Sequence, residues 1–505
     1  MGSDKDWHAQ HMDALPVQME NIETAPLGAD GVLTPPSYPS HPSHPSHPSR
    51  PQVTAPFDEL AQFAALHAPR DGATATPLTV ILPPRPTTVA ETGLELVLLE
   101  ELALKHIVNA GVITGAELAE RMCLTLPGVV EEAIAVLRRD GLVDYHNVSG
   151  GALHGNAGMR LRATDRGVQI ETRAREHNGY VGPAPVKFSA YAHMLRQQAM
   201  SGRGISRADV WRKTAHLVLA DETIDSLGAG LESGGPLLIA GEPGNGKSAI
   251  ASSLARMFRA GVLVPHAVQI DGHIVRVFDP SIHKPLQLDP TVSGSKMDER
   301  WVYCQAPFVR AGIELRTDDL SLRFNQQYRY YDCPIQLKAA GGVLLLDDLG
   351  SASEQVDDLL YRCLEPVATG VDYLTTVTGR ALPVPFTPLL VVACARAPSD
   401  LLSEALLRRF PCKVHIPGPT EEQYRELFRR SCKDAGVECD PAGIDYVIER
   451  CYARAGYVPR SSHPAQLVQL ICAASRYFGI SAQIVPQLID VAADMYCGRV
   501  EISGQ

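Results

Sequence analysis

The feature that most constrains the fold is a glycine-rich loop between a strand-like run and a helix-like run. Residues 236–240 are apolar (PLLIA), and residues 249–257 have apolar positions at helical spacing. The loop between them, residues 241–248, reads GEPGNGKS. Glycines allow the backbone N–H groups of such a loop to point inward, and the following helix directs its positive end at the same place. The segment predicts a phosphate-binding site; the alternative is a glycine-rich turn that happens to carry Lys and Ser.

The residue types of this loop indicate which part of a nucleotide each would contact. We expect nucleotide contacts from Gly241, Glu242, Pro243, Gly244, Asn245, Gly246, Lys247, Ser248 and Ala249. Lys247 is predicted to reach the β- and γ-phosphates, and the Ser248 hydroxyl is predicted to ligate Mg²⁺. Nothing in the loop specifies the base.

Two adjacent carboxylates follow a second apolar run, residues 341–346. Because parallel strands meet their ligands at the carboxyl ends, this run is predicted to deliver Asp347 and Asp348 to the crevice that holds the loop. Asp347 suits the Mg²⁺ shell, usually through water, and Asp348 suits the orientation or deprotonation of the attacking water. An apolar strand ending in two acids is common, but together with the loop it predicts nucleotide hydrolysis.

Composition narrows the class of protein. A chain of 505 residues is long enough for two or three domains. Its eleven cysteines are scattered without a C-x-x-C pair, so we expect reduced, mostly buried thiols rather than a zinc site. The net charge of −11 argues against general nucleic-acid affinity. With no long apolar run and no secretory pattern, we expect a soluble, cytoplasmic protein without membrane insertion.

Residues 1–87 are rich in Pro, Ser and Thr and contain the repeat SHPSHPSHPS over positions 40–49. Such a segment buries too little apolar surface to offset its ordering entropy, so we predict a disordered N-terminal region. His41, His44 and His47 are expected to belong to a solvated linker, with metal binding as the alternative.

Residues 88–177 have the pattern of a small α+β domain. Three helix-like stretches are followed by two strand-like stretches, over residues 94–109, 114–121, 126–140, 141–145 and 159–163. This order, with a Gly-rich tip over 149–158 and a closing segment over 164–167, resembles a winged helix, a fold that often binds DNA through its third helix.

The charges of that third stretch favour protein docking over DNA binding. Acidic residues outnumber basic ones there: the acidic residues are Glu131, Glu132 and Asp140, and the basic ones are Arg138 and Arg139. On the wing and after it, three arginines keep DNA binding open as the alternative: Arg160, Arg162 and Arg166.

The remaining boundaries follow from composition and periodicity. We predict a linker over 178–200 that ends in a helix, an α/β core over 201–417 and a helical region over 418–505. About ninety residues separate the loop from the apolar run 341–346, so an insertion with extra strands is expected there. Residues 372–386 predict a hairpin about a glycine turn.

The order of these parts resembles the AAA+ ATPases over about residues 200–500. The resemblance rests on the loop, the acid pair, the apolar strand 389–394, the box ALLRRF over 405–410 and the helical end. Residues 335–347, which lead up to the acid pair, and the hairpin over 373–386 are similar to the corresponding segments of one branch of the family. That branch contains the MoxR-type, magnesium-chelatase and enhancer-binding ATPases. Together with the winged-helix-like region, the chain also resembles uncharacterised bacterial AAA-family ATP-binding proteins.

The resemblance implies an α/β P-loop core with a parallel sheet and a C-terminal helical lid, binding ATP and Mg²⁺ in a ring, usually a hexamer. Arg408 and Arg409 then lie in the box that, in this family, supplies an arginine to the γ-phosphate bound by a neighbouring subunit. One of the two is expected to have that role, and the other is expected to be structural. The helical lid of the family usually supplies an arginine early in its third helix. Residues 464–466 of this chain contain no arginine, and Arg460 is the expected substitute.

Two further departures affect hydrolysis. The family usually has Glu where this chain has Asp348, one methylene shorter, and a polar residue where this chain has Ala395. Because a misplacement of about 1 Å can cost around a hundredfold in rate, ATP binding is better supported than rapid turnover.

The sequence therefore predicts a ring-forming ATPase that couples Mg·ATP binding and hydrolysis to remodelling or assembly of a protein partner. The alternative is a slowly hydrolysing, nucleotide-switched scaffold or transcription-linked regulator whose winged helix binds DNA or protein. Candidate polypeptide-gripping loops are residues 301–303, residues 328–331 and the tip at Gly379, with burial in a core as the other interpretation of their aromatic side chains.

Overall fold

The computed structural model describes residues 82–146, 159–201, 205–257, 261–288, 297–348, 354–395, 398, 402–454 and 456–497. Most of the predicted disordered region, up to residue 81 and including the histidine repeat, lies outside these residues. The predicted wing tip over 149–158 also lies outside them.

The strands of the described residues, numbered in chain order, are β1 Ile113–Thr114, β2 Val143–Tyr145, β3 Arg160–Ala163, β4 Val186–Lys187, β5 Leu237–Ala240, β6 Val262–Pro265, β7 Ala267–Ile270, β8 His273–Arg276, β9 Trp301–Cys304, β10 Phe308–Ala311, β11 Arg323–Asn325, β12 Tyr330–Asp332, β13 Val343–Asp347, β14 Val371–Thr375, β15 Ala381–Pro385, β16 Leu389–Cys394 and β17 Cys412–His415. The helices are α1 Val89–Thr92, α2 Leu96–Ala110, α3 Gly115–Met122, α4 Glu131–Arg139, α5 Asp165–His177, α6 Phe188–Ser201, α7 Arg207–Thr214, α8 Asp221–Ser233, α9 Lys247–Ala255, α10 Ile335–Lys338, α11 Glu354–Thr369, α12 Glu404–Leu407, α13 Glu421–Ala435, α14 Pro441–Val447, α15 His463–Phe478 and α16 Pro486–Cys497. Within this described part of the chain, no helix combines the length and apolar character that a bilayer crossing requires.

The first region consists of helices α1–α5 around a small antiparallel sheet. β3 lies between β1 and β2 and pairs with both. Thr114 ends β1 and begins α3 through a capping box with Glu117, which satisfies two otherwise unpaired backbone N–H groups. The apolar faces of α2, α3 and α4 meet in one core with the sheet. The predicted order of three helices and two returning strands is therefore present, with β1 as an addition.

Residues 164–167, expected to close the hairpin, instead begin helix α5. The Thr164 hydroxyl accepts a hydrogen bond from the Gly167 N–H at 3.0 Å, which caps the helix. Gly167 lies so close to β2 that a Cβ there would sit 2.1 Å from the Leu142 carbonyl oxygen. α5 can pack against α2 because this close approach is possible.

The segment predicted as a linker, residues 178–200, carries regular structure. β4 pairs in parallel with β7, through Val186 opposite Val268. α6 follows directly, and its residues Tyr191 and Leu195 are buried in a second core. The segment is thus part of a sheet and its packing layer.

Strands β4, β6–β9, β11 and β12 with helix α6 form what we call the β-rich module. Its five-stranded sheet has the order β11-β12-β8-β7-β4, and β6 and β9 form a separate antiparallel pair. Among the candidate gripping aromatics, Trp301 and Tyr331 are buried in this module, so for them the core interpretation is correct. Tyr328 is half exposed and stacks on Tyr330 with ring centroids 6.0 Å apart.

A buried ion pair joins the β-rich module to the first region. Arg300 Nη2 lies 2.8 Å from Asp298 Oδ2, and both side chains are buried. The same guanidinium donates from Nη1 to the carbonyl of Thr92 at 3.0 Å and to that of Pro185 at 3.1 Å. The end of α1, the chain entering β4 and the module therefore meet at one side chain.

The central layer is a five-stranded parallel sheet with the order β10-β13-β16-β5-β17. One face packs against α7, α8 and α9, and the other packs against α11 and α12. The strands that carry the loop and the acid pair, β5 and β13, are buried along their whole length. Such continuous apolar strands are typical of a parallel sheet covered on both faces, and this confirms the predicted α/β class.

The predicted hairpin forms from β14 and β15, and both of its ends are held. At its base, Arg362 of α11 pairs with the buried Asp372 at 2.6 Å. At its tip, the Val377 N–H donates to the Tyr331 hydroxyl at 3.0 Å, and Arg380 Nη1 lies 3.0 Å from Asp271 Oδ2. The hairpin therefore connects the helix that follows the acid pair with the β-rich module.

The C-terminal region consists of helices α13–α16 and agrees with the helical end predicted from the sequence. Its core is built from one face of each helix and includes the buried side chains of Phe428, Leu467 and Ile471. Thr420 begins α13 with a capping box to Gln423, and Gly436 ends it in a left-handed conformation.

Arg300→Met should destabilise the module because it leaves the Asp298 carboxylate buried without a partner. Removal of one member of a buried pair costs about 3–5 kcal/mol, so the urea midpoint followed by the fluorescence of the adjacent Trp301 should fall clearly. The matched control is Arg139→Met, which breaks an exposed pair with Asp140 and should change the midpoint little. Equal midpoints for the two variants would contradict the structural role of Arg300.

Candidate nucleotide-binding site

The predicted phosphate-binding loop lies between β5 and α9. Two glycines adopt left-handed conformations there, Gly244 with φ 87° and Gly246 with φ 81°. Other residues would be strained at these positions, and a Cβ on Gly244 would lie 2.7 Å from the Ser462 hydroxyl. The loop ends where α9 begins at Lys247, so the free N–H groups of that helix face the loop. This is the anion-binding geometry that the motif predicts.

Lys247 is buried and bonded to the loop itself. Its Nζ donates to the carbonyl of Gly241 at 2.8 Å and to that of Glu242 at 3.1 Å. Burial lowers the pKa of the Lys247 ammonium below its usual range, and the facing Asp347 carboxylate offsets part of this shift. The loop thus holds a cation in a poorly hydrated place, where its attraction for phosphate is strong.

Ser248 and Asp347 meet across the sheet. The Ser248 hydroxyl donates to Asp347 Oδ2 at 2.5 Å, although 99 positions separate the two residues. Asp347 ends β13 and is buried. A hydroxyl and a carboxylate are hard oxygen donors of the kind that Mg²⁺ prefers, so this pair fits the predicted metal site.

Asp348 follows in a strained conformation. Its φ is 50°, in the left-handed region, and its N–H donates to the Ala393 carbonyl at 3.2 Å. Asp tolerates this conformation better than most residues because its short polar side chain can hydrogen-bond locally. This gives a physical reason for Asp where the AAA+ pattern usually has Glu.

The structure adds Arg310, which the sequence analysis missed. Its Nε lies 2.8 Å from Asp347 Oδ2, and its side chain lines the same cavity as the loop. The available signal was a charged residue within an apolar strand-like run, FVRA. That run could not be matched to β13 without knowledge of the strand order.

The C-terminal region closes the site on one side. The Ser462 N–H donates to the Gly244 carbonyl at 2.9 Å, and the Ser461 N–H approaches Asn245 Oδ1 at 3.4 Å. Arg460, the expected substitute for a lid arginine, lies beside the loop with its Nη2 3.8 Å from Glu242 Oε2. The structure therefore brings the segment 460–462 to the phosphate loop.

A cavity of about 490 Å³ surrounds these groups. Its lining includes residues 243–250, both acids, Arg310, Ser461 and Ser462. Its apolar lining residues include Leu217, Val218, Leu219, Ile250 and Leu427. Ala395 also lines the cavity, at the position where the AAA+ pattern usually provides a polar side chain. Its size lies in the range of about 300–1,000 Å³ that small-molecule sites occupy.

Arg408 and Arg409 lie outside this cavity, on the surface at the end of α12. Arg408 pairs with Glu404 of α12, and its side chain is 76% exposed. Arg409 pairs with Glu365 of α11 at 2.9 Å and stacks over the Tyr361 ring at 5.2 Å. The two arginines therefore have different environments: Arg408 is largely exposed to solvent, and Arg409 is held by α11.

Comparison with known proteins gives partial matches. A sequence family described as a domain of unknown function (DUF8689) matches residues 420–495, which is the C-terminal helical region. Similar solved structures include the Thermotoga maritima RuvB Holliday junction branch migration motor, with 15% identity, a TM-score of 0.31, and coverage of 59% of this chain and 73% of that chain. Two RuvB mutants from the same organism match with 13% identity, TM-scores of 0.32 and 0.31, and coverage of 58% of this chain and 71% and 70% of theirs. At this similarity the matches do not identify the activity of this chain.

A buried histidine lies directly behind the loop contact. His463 begins α15, stacks on Tyr452 at 5.9 Å and meets the Tyr496 ring at 5.2 Å. Its Nδ1 lies 3.0 Å from the Tyr452 hydroxyl. Burial, with the neighbouring Arg460 cation, lowers the pKa of His463 to about 4.

Acid should therefore weaken the C-terminal region through His463. The unfolded chain binds the proton near pH 6.5 and the folded chain only near pH 4, so the free energy of unfolding falls as the pH drops through this window. Urea unfolding at pH 7 and pH 4.5 should show a larger loss for the native chain than for His463→Phe, by on the order of 1–2 kcal/mol. The other buried histidines are unchanged in that comparison, and equal losses would contradict the assignment.

Proposed function

We propose that this chain is an AAA+ ATPase that binds Mg·ATP in the cavity between the loop and the C-terminal helices. The observation that carries the proposal is the convergence of Lys247, Ser248 and Asp347 at the mouth of a glycine loop that ends in a helix N-terminus. A cation for phosphate and two oxygen donors for a metal are the minimum that nucleoside-triphosphate chemistry needs.

Each residue has a distinct part in this mechanism. When bound, Mg²⁺ would supply charge to the phosphate oxygens, and Ser248 and Asp347 would hold it. Lys247 exchanges the loop carbonyls for phosphate oxygens, and the N–H groups at the start of α9 neutralise further charge. Asp348 is an exposed carboxylate that lines the cavity and would orient the attacking water.

The apolar side chains in the cavity lining support a purine as the base. Leu217, Leu219 and Leu427 would offer apolar surface to a flat ring. The preference for adenine follows from the resemblance to AAA+ proteins.

Slow turnover is the alternative rate regime, and two features of the cavity favour it. Ala395 provides no polar contact to the phosphates or the water. The side chain of Asp348 is one methylene shorter than that of Glu, and its backbone is in the left-handed conformation. In that regime nucleotide binding, rather than repeated hydrolysis, would switch the assembly of the protein.

Ring formation is supported by the position of Arg408. The side chain points to solvent and does not line its own cavity, so it could stabilise transition-state charge only in a neighbouring copy. Arg409 is the structural member of the pair because Glu365 and Tyr361 already hold it. The hairpin β14–β15, between α11 and β16, supports the branch that includes the MoxR-type and magnesium-chelatase ATPases.

The first region is proposed to be a winged helix that docks a protein rather than DNA. Helix-turn-helix readers insert the N-terminal residues of their third helix into the major groove. Here the turn before α4 is covered, since Thr125 donates to the Pro86 carbonyl at 2.9 Å and a Cβ on Gly128 would lie 2.2 Å from the Thr87 carbonyl oxygen. Pro86 and Thr87 thus lie against this turn, which supports protein docking over DNA binding.

Lys247→Ala should abolish nucleotide binding because it removes the buried cation that faces the phosphates. Calorimetry with a non-hydrolysable ATP analogue should give a loss of affinity of at least about a hundredfold, and phosphate release should fall to background. Unchanged affinity would disprove the phosphate-loop assignment. The native chain could also release phosphate only at the rate of the variant while ATP still drives its assembly in light scattering. That result would favour a nucleotide-switched assembly over repeated hydrolysis.

Arg408→Ala and Arg409→Ala should differ in what they disturb. Arg408→Ala should keep ATP binding and assembly but lower phosphate release by at least about a hundredfold, as expected for a cation supplied by a neighbour. Arg409→Ala should lower thermal stability slightly and change turnover much less, because it loses its contacts with α11. The reverse pattern would exchange the two roles, and full activity in both would reject the trans arginine.

A further inference from the structure

Arg310 is the one charged side chain in the described part of β10, and it points into the nucleotide cavity. Its neighbours Val309 and Ala311 face the opposite side of the sheet and belong to the core with α11. In the parallel register Arg310 lies opposite Leu345, two residues before Asp347. Alternation along the strands therefore puts Arg310 and Asp347 on the same face of the sheet.

The contact between them uses the oxygen that also faces Ser248. Arg310 Nε lies 2.8 Å from Asp347 Oδ2, and the Ser248 hydroxyl lies 2.5 Å from the same Oδ2. The environments are unequal, because the Asp347 side chain is 5% exposed and that of Arg310 is 62% exposed. The carboxylate is fixed in the protein, and the guanidinium reaches it from the solvent side.

Two cations then compete for one carboxylate. A metal held between Ser248 and Asp347 would be attracted by the negative charge of the Asp347 carboxylate, which Arg310 already neutralises. At such short range each cation weakens the binding of the other. Arg310 has the mobility that such an exchange requires, since most of its side chain is in water. Lys247 differs in its surroundings, because it is buried and bonded to two loop carbonyls.

We propose that Arg310 is a positioning residue that holds the Asp347 carboxylate before the metal binds and is displaced from Oδ2 by Mg²⁺. This inference rests on the proposed nucleotide site and extends it: Arg310 raises the Mg²⁺ concentration at which nucleotide is held tightly. It also holds the Asp347 carboxylate in place, so the metal meets a preformed ligand.

Arg310→Gln tests the competition directly, because it removes the charge and keeps a polar side chain of similar shape. A fluorescent, non-hydrolysable ATP analogue is titrated at fixed concentration with MgCl₂, and the Mg²⁺ midpoint of binding is recorded. From the strength of partly exposed, charge-assisted pairs we expect the midpoint to fall about five- to tenfold. Arg310→Lys keeps the charge and should restore most of the native midpoint.

Arg323→Gln is the matched control. Arg323 is also an exposed arginine paired with an aspartate, with a side chain that is 63% exposed, and it lies outside the cavity. Its midpoint should equal that of the native chain. Midpoints within twofold for the native chain, Arg310→Gln and Arg323→Gln would overturn the inference and leave Arg310 as a surface ion pair.

A second measurement separates this inference from the proposed function. Mn²⁺ is titrated into the full chain without nucleotide, and free Mn²⁺ is followed by electron paramagnetic resonance. Arg310→Gln should bind Mn²⁺ more tightly than the native chain. If the native chain binds no nucleotide at any Mg²⁺ concentration, the proposed function fails, and the Mn²⁺ comparison still decides the role of Arg310. Equal Mn²⁺ binding in both would reject that role even if nucleotide binds normally.

Discussion

The site depends on one hydrogen bond, from the Ser248 hydroxyl to Asp347 Oδ2. The two residues belong to different strand-helix units, and β16 lies between their strands in the sheet. The bond therefore forms only when three parallel strands take the correct order and register. Continuous apolar burial of β5, β13 and β16 provides that order, and the polar groups converge where the strands end.

The local parts of the site could be read from the sequence, because each is encoded within a few residues. The glycine loop, Lys247, Ser248 and the acid pair have fixed spacings, and the structure brings them together. Arg310 could not be found in this way, since its role depends on pairing between β10 and β13 that no local pattern specifies. The left-handed backbone of Asp348 could not be predicted either, because no local pattern specifies it.

The fold shows the same division between local and distant information. Helices with clear caps, such as α3 and α13, and the buried parallel strands were predictable. The segment 178–200 seemed to be a linker because Gly and Pro precede a helix, yet β4 pairs with β7, about eighty positions away. Likewise, Arg300 is an ordinary charged residue in the sequence, and only the folded chain makes it the meeting point of Thr92, Pro185 and Asp298.

The hairpin β14–β15 has two ionic contacts with unequal surroundings. At its base, Asp372 is buried and its bond to Arg362 is shielded from salt. At its tip, Arg380 and Asp271 are much more open to solvent, so dissolved ions weaken that contact first. The hairpin is therefore held firmly by α11 at its base and more weakly by the β-rich module at its tip. A rise in ionic strength would therefore loosen the tip of the hairpin before its base and leave the hydrogen bond from Val377 to Tyr331 as the main tip contact.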